Sequence, residues 1–392
     1  MNNKKINDLF LKLTGILPLG LLLRILKSMK KTPTLTSPFQ PESSSSSSSS
    51  HQISKVLFIK LEGMGDSVYL LEIVHRLFES YPSLKIDILS TAGNPLFPLF
   101  KDLLNNEFGL KILDPLNPIS YFKTVKSINK ENYDIIFDLT GMPVNIPLML
   151  LFAKSYKAGF ATMELRKNVY DYSAAIDKNI HIFDNYLNLV KPFFTISTEK
   201  KFAFLPESFF KNSPDGKYIG LVLSSSGGGN MNRRLPPDNS ALLINLLTKN
   251  FPGYKINLLG GPSDYEYLDN LRGNMEPELN ETGTVSVKRT GSIGEAVDLL
   301  KNAFFNICID SGLMHLSSLV NPNTYCLFGY SSPVNSLPFN NIGYYAASVD
   351  CAPCSFYRIS ECKTLECMDK IDVKAVIENL KPKIDNYGCP IR

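Results

Sequence analysis

The 392-residue sequence has no tryptophan and only four histidines, and it contains no His-Glu-x-x-His pair. A histidine-built metal centre is therefore poorly supported. No Gly-Lys-Ser/Thr follows any glycine-rich turn, so a Walker-type nucleotide loop is excluded. No Asp-x-Asp pair offers a carboxylate clamp for a divalent ion on a diphosphate. Charge of one sign is also scarce: 41 Lys+Arg against 37 Asp+Glu leave a net +4, too little for a basic nucleic-acid arm. Seven cysteines in a chain this long do not make a disulfide scaffold. Hydrophobic residues (44%) and charged residues (20%) stand in the usual globular proportion, and the length suggests two domains, each able to bury a core.

The first fifty residues differ from the rest. Ser43–Ser50 is an unbroken serine run preceded by several prolines, which reads as a flexible linker. Before it lies a leucine-rich stretch from Ile6 to Leu26. Its uncharged part, Leu13–Leu23, is much shorter than the ~20 residues that span a bilayer, and it contains Pro18 and Gly20. Lys4 and Lys5 give it a signal-like start, but no small-x-small cleavage site follows. Ile6, Leu9, Phe10 and Leu13, then Leu19, Leu22, Leu23 and Leu26, recur at helical spacing among basic residues. Two readings stay open: an interfacial amphipathic segment, or a helix packed on the body or on another copy of the chain.

From Ile53 short apolar runs alternate with helical periodicity. The expected strands are Val56–Ile59, Ile86–Leu89, Tyr133–Asp138, Tyr218–Leu223, Lys255–Leu259, Phe304–Ile309 and Tyr325–Phe328. Helical stretches are expected after Asp66, over Leu148–Ala153 and from Asp238 to Lys249. Such alternation predicts an α/β fold with parallel sheets covered on both faces. There are two series, separated by a softer stretch near Pro206–Lys217. The expectation is two Rossmann-like domains facing a central cleft, with ligands outside the carboxyl ends of the strands.

Four turns carry chemistry. In Lys60-Leu61-Glu62-Gly63-Met64-Gly65-Asp66 the glycines permit a tight strand-to-helix turn, and Asp66 is either a helix cap or a general base. Ser224-Ser225-Ser226-Gly227-Gly228-Gly229 followed by Arg233-Arg234 reads as a phosphate cradle or as a solvated loop. Asp310-Ser311-Gly312-Leu313-Met314-His315 opens a helix whose positive end suits an anion; His315 is either packed or ligand-touching. Cys351, Cys354, Cys362 and Cys367 are spaced C-x2-C-x7-C-x4-C and are either free thiols or thiolate ligands.

Together and in order, these turns resemble glycosyltransferase family 9, the ADP-heptose:lipopolysaccharide heptosyltransferases. The anchors are Gly63–Asp66, Asp138–Gly141, Leu259–Pro262, Asp310–Leu316 with Leu327–Gly329, and the Cys351–Cys354 tail with Cys367-Met368. The resemblance covers about Lys55–Leu380 and implies the GT-B fold. It divides the chain into an N-terminal extension (1–52), an acceptor domain (53–214) and a nucleotide-sugar donor domain (215–392). It implies inverting transfer of a sugar, typically heptose from ADP-heptose, to a lipopolysaccharide core or similar glycolipid, with no cofactor, metal or nucleic acid. A cytoplasmic enzyme at the inner membrane is expected, with peripheral contact through the N-terminal segment.

By position, Asp66 resembles the base that deprotonates the acceptor, and Arg233 falls where the family has a phosphate-binding lysine. Ser225 and Ser226 match the diphosphate loop, Ser311 and Gly312 the phosphate contacts, Asp310 and His315 the donor motif, and Asp264 an acid near the ribose or base. The chain departs from the family at Glu62, at Ser224–Ser226 and at Arg233-Arg234-Leu235, all beside donor and acceptor contacts. Two alternatives keep the same fold: a non-catalytic nucleotide-sugar binder and a sugar-nucleotide epimerase.

Overall fold

The computed structural model describes residues 53–61, 63–91, 94, 96–97, 109–114, 117–140, 149, 155–160, 169–205, 217–225, 234–275, 277–354, 362 and 364–385. Residues 1–52, the expected boundary at 214/215, Ser226, Arg233 and nearly all of Leu148–Ala153 lie outside the described residues. The chain divides into two compact units, Met1–Glu199 and Lys200–Arg392.

The first unit holds β1 (Lys55–Ile59), β2 (Lys85–Thr91), β3 (Gly109–Leu113), β4 (Ile135–Asp138), β5 (Tyr156–Phe160) and β6 (Tyr172–Ala174), in the sheet order β3-β2-β1-β4-β5-β6. Every neighbouring pair is parallel. Its helices are α1 (Met64–Ser80), α2 (Pro118–Lys130) and α3 (Ile182–Val190). Val56–Ile59 of β1 is fully buried, as is Ile135–Phe137 of β4, as expected of strands covered on both faces. Phe58 and Phe137 stack across β1 and β4 at 4.9 Å. Helix α1 buries Val68, Leu71, Val74 and Leu77, together with the charged pair Glu72 and Arg76. Arg76 Nε donates to Glu72 at 2.6 Å, and its two terminal nitrogens donate to the carbonyls of Ser197 and Glu199, both at 2.6 Å. The end of the unit is thereby tied to the helix.

The second unit repeats the arrangement. β7 (Tyr218–Val222), β8 (Lys255–Gly260), β9 (Val285–Arg289), β10 (Phe305–Ile309), β11 (Thr324–Phe328) and β12 (Gly343–Ala346) stand in the order β12-β11-β10-β7-β8-β9, again all parallel. The main helices are α4 (Pro237–Asn250), α5 (Tyr265–Gly273), α6 (Ile293–Lys301), α7 (Gly312–Val320) and α8 (Val373–Asp385). Read from its own first strand, each sheet runs 3-2-1-4-5-6, the Rossmann order. The order reverses between β1 and β4 in one unit and between β7 and β10 in the other. Ligands of open α/β sheets bind at that switch point, outside the carboxyl ends of the strands.

The expected strands are present with ends shifted by a few residues. Five further strands, β3, β5, β6, β9 and β12, were not expected from the sequence. No described helix is long and apolar enough to cross a membrane.

Candidate active site

At the switch point of the first unit the chain leaves β1, turns at Gly63 and enters α1. Gly63 is the N-cap, with φ 79° and ψ 74°, a left-handed conformation that glycine adopts without steric cost. No side-chain bond caps the helix, and Asp66 lies in its first turn. The turn is closed by Ser67, whose N–H and Oγ both donate to the Gly63 carbonyl (3.1 and 2.9 Å). Asn94 in turn donates to Ser67 Oγ at 2.8 Å. The Asp66 side chain is 40% exposed, and its Oδ2 lies 3.6 Å from the Nζ of Lys60, which is buried. Lys60 Nζ also stands over the Tyr186 ring at 5.6 Å. Burial opposes the charge on Lys60, but the neighbouring Tyr186 and Asp66 outweigh it and raise its pKa. Burial pushes the Tyr186 phenol up to about 12. Asp138, at the end of β4, is fully buried: it accepts the Thr140 N–H and the Tyr170 hydroxyl, the latter at 2.6 Å, and acts within the fold.

In the second unit β7 is followed by buried Ser224 and Ser225, and Ser224 Oγ has no hydrogen-bond partner. Ser226 and Arg233 follow outside the described residues. The returning chain is pinned by Leu235 N–H to the Leu223 carbonyl (2.9 Å). Arg234 donates to the Ser263 carbonyl at 2.9 Å, lies 3.8 Å from Asp264 Oδ1 and covers the Tyr267 ring at 5.2 Å. Asp264 itself is buried, and its Oδ2 accepts the Gly261 N–H at 3.2 Å. Its carboxylate thus serves its own turn and Arg234.

Beyond β10, Ser311 is the N-cap of α7, and its Oγ accepts the Met314 N–H at 3.3 Å. Gly312 is the first helical residue, and the first turn carries no acid. The Asp310 carbonyl accepts the Tyr330 hydroxyl at 3.0 Å, and its Oδ1 lies 3.9 Å from Nε2 of buried His315. The structure therefore gathers Asp310, Ser311, Gly312 and His315 at one strand end and Arg234 with Asp264 at another. Asp66 stands in the other unit with Lys60 and Tyr186. The sequence reading assigned no task to those two. A lone lysine closing an apolar strand was the available signal for Lys60, whereas Tyr186 lies far along the chain and gave none.

Cys308 and Cys326 are buried free thiols, and burial pushes Cys308 up to about 12. Burial and the three neighbouring thiols push Cys367 up to about 11, whereas backbone N–H groups of Leu365 and Thr364 lower Cys362. Among the described residues no group of three or more His, Cys, Asp or Glu is disposed to hold a metal ion.

With this geometry in place, comparison with known proteins is decisive at the level of family. The profile of glycosyltransferase family 9 (heptosyltransferase) matches residues 121–360. The chain belongs to glycosyltransferase family 9. As a family 9 member it is a glycosyl-transferring enzyme.

Two relatives are each 24% identical to this glycosyltransferase. They are lipooligosaccharide heptosyltransferase 2 of Haemophilus influenzae (73% of this chain, 86% of that protein) and lipopolysaccharide heptosyltransferase 1 of Campylobacter coli (70% and 84%). Among solved structures, E. coli heptosyltransferase WaaC with ADP-2-deoxy-2-fluoro heptose superposes with TM-score 0.61 at 19% identity (84% of this chain, 99% of that one). E. coli ADP-heptose lps heptosyltransferase II gives 0.63 at 18% identity (86% and 100%). These likenesses establish the GT-B fold for the family 9 chain.

Proposed function

We propose that this glycosyltransferase moves heptose, with inversion, from ADP-heptose to the core of a lipopolysaccharide or a similar glycolipid. Two observations favour this donor and acceptor: the relatives are named lipopolysaccharide and lipooligosaccharide heptosyltransferases, and one structural neighbour, E. coli heptosyltransferase WaaC, was solved with ADP and with ADP-2-deoxy-2-fluoro heptose. The observation that carries the chemistry is the placement of a half-exposed carboxylate, Asp66, at the switch point of the first sheet.

In this reading the acceptor hydroxyl gives its proton to Asp66 as its oxygen attacks the anomeric carbon. The bond from that carbon to the diphosphate breaks in the same displacement, which inverts the centre. Charge on the departing ADP is met by Arg233, by Ser225 and Ser226 and by the α7 terminus at Ser311 and Gly312. Asp310 and His315 shape the sugar side, and Asp264 holds Arg234 and its turn beside the nucleotide. Residues 6–26 bring the enzyme to the cytoplasmic face of the membrane that carries its acceptor.

The test is product formation. The full-length enzyme is incubated with ADP-heptose and a core glycolipid lacking that heptose; the glycolipid gains one heptose mass as ADP is released in equal amount. Preferential stabilisation by UDP or GDP over ADP in a melting panel would overturn the donor, because a ligand of the folded state raises its melting point with affinity. Conversion of the donor to another sugar nucleotide without any acceptor would favour epimerase chemistry instead.

A further inference from the structure

One charged side chain in the first unit's site has no task in the reaction as described. Lys60 directly follows β1, and its side chain is only 5% exposed. Its backbone is fixed on both sides: the N–H donates to the Leu89 carbonyl at 2.9 Å, and the carbonyl accepts the Ser90 hydroxyl at 2.8 Å. A buried ammonium is costly unless it is paired. Here it faces two groups, the Asp66 carboxylate at 3.6 Å and the Tyr186 ring at 5.6 Å.

Stability does not account for this arrangement. A pair with one half-exposed partner contributes little, and an apolar side chain of similar length packs a buried site as well or better. The turn is also shaped around the pair. A Cβ on Gly63 would stand 3.3 Å from Lys60 Nζ and 3.4 Å from Asp66 Oδ2, so the missing side chain keeps the space beside both groups open.

We propose that Lys60 is a positioning residue for the Asp66 carboxylate: anchored by β1 and braced by Tyr186, its ammonium holds that carboxylate in the orientation that receives the acceptor's proton. The inference rests on Asp66 being the base. In the step itself the proton passes from the acceptor oxygen to Asp66, the new oxygen–carbon bond forms and the bond to the diphosphate breaks. Lys60 keeps its proton throughout.

The test uses the full-length enzyme and the variants Lys60→Met, Lys60→Arg, Asp66→Asn and Lys60→Met/Asp66→Asn. ADP release gives kcat and both KM values, calorimetry gives ADP affinity, and melting curves monitor the fold. Misplacing a reacting group by about 1 Å costs roughly 100-fold, so Lys60→Met is expected to lower kcat by about that factor. Its donor KM and ADP affinity should stay within about twofold, because the donor groups lie in the other unit. Lys60→Arg restores part of the loss. With Asp66→Asn already present, Lys60→Met lowers kcat by less than about twofold further, since a residue acting through Asp66 has nothing left to position.

Lys60→Met with kcat near the parent value, beside an Asp66→Asn whose residual kcat is strongly reduced, would overturn the role of Lys60 and leave the base in place. Losses that multiply in the double variant would show that Lys60 acts independently and would likewise overturn it. Full turnover by Asp66→Asn would instead remove the base reading itself. Where Lys60→Met melts more than ~5 °C below the parent, Lys60→Gln replaces it with the same expectations.

Discussion

A single methyl group at Gly63 tests the geometry of the first turn. Gly63→Ala introduces two costs. The backbone there is left-handed, at φ 79°, and an L side chain in that region costs about 1–2 kcal/mol. The new Cβ would also meet Lys60 Nζ at 3.3 Å and Asp66 Oδ2 at 3.4 Å. The ammonium is the far end of a flexible chain and gives way by a few tenths of an ångström, so this contact adds little to the stability loss. A gain of about 0.4–1 kcal/mol from restricting the unfolded chain offsets part of the strain. The net expectation is a loss of about 1 kcal/mol, or roughly 2–4 °C in melting temperature for a unit of this size. The kinetic effect is larger in proportion. Moving the carboxylate by a few tenths of an ångström, on a scale where about 1 Å costs 100-fold, lowers kcat roughly three- to tenfold. Scanning calorimetry and acceptor-dependent ADP release measure the two effects separately. A Gly63→Ala enzyme with parental melting temperature and parental kcat would refute both the left-handed turn and the contact between this position and the Lys60–Asp66 pair.

The adjacent glycines after β8 should behave oppositely to each other. A Cβ on Gly260 would lie 2.8 Å from Asp264 Cβ and 2.8 Å from Leu268 Cδ1, so Gly260→Ala costs about 1–3 kcal/mol; one on Gly261 meets nothing within 4 Å, so Gly261→Ala stays within about 0.5 kcal/mol, both read from urea melts. In α1, Arg76→Leu leaves the fully buried Glu72 without its guanidinium and costs about 3–5 kcal/mol, whereas Glu72→Leu/Arg76→Leu recovers much of that loss in the same melts.

The main elements of both sheets were legible because their strands are short apolar runs that end in glycine, acid or hydroxyl. Val56–Ile59 and Phe305–Ile309 are buried throughout, and the turns behind them hold Asp66 and Asp310–Gly312. The strands that escaped notice lack that signature. β5 (YKAGF) contains a lysine that is buried in the fold, β9 (VSVKR) is only partly buried, and β6 has three residues. Neighbouring strands, not their own hydrophobicity, make them strands. The site shows the same division. Asp66 and Ser311 announce themselves by local pattern, since each belongs to a strand-to-helix turn. Tyr186, inside α3, reaches Lys60 only through tertiary packing, and no spacing rule links the two. Asp264 is expected near the ribose or base from its position in the family resemblance; in the fold its carboxylate accepts the Gly261 N–H and faces Arg234, contacts that no local pattern announces.

The helix N-termini of α1, after the first strand of its sheet, and of α7, after the fourth of its own, differ in charge. Each unit places a helix N-terminus after its first or fourth strand, and each such terminus carries partial positive charge. In α1 that charge is already met within the chain: Asp66 occupies the first turn, with the Lys60 ammonium beside it. An incoming phosphate there would meet a carboxylate. In α7 the first turn holds Gly312, Leu313 and Met314, with no acid, behind a serine cap. That terminus is free to complement an anion from outside. The two turns lie at the switch points of their sheets but follow different strands, the first in one unit and the fourth in the other. Under the proposed reaction, the built-in carboxylate suits the α1 turn to accept a proton, and its absence suits the α7 turn to a diphosphate.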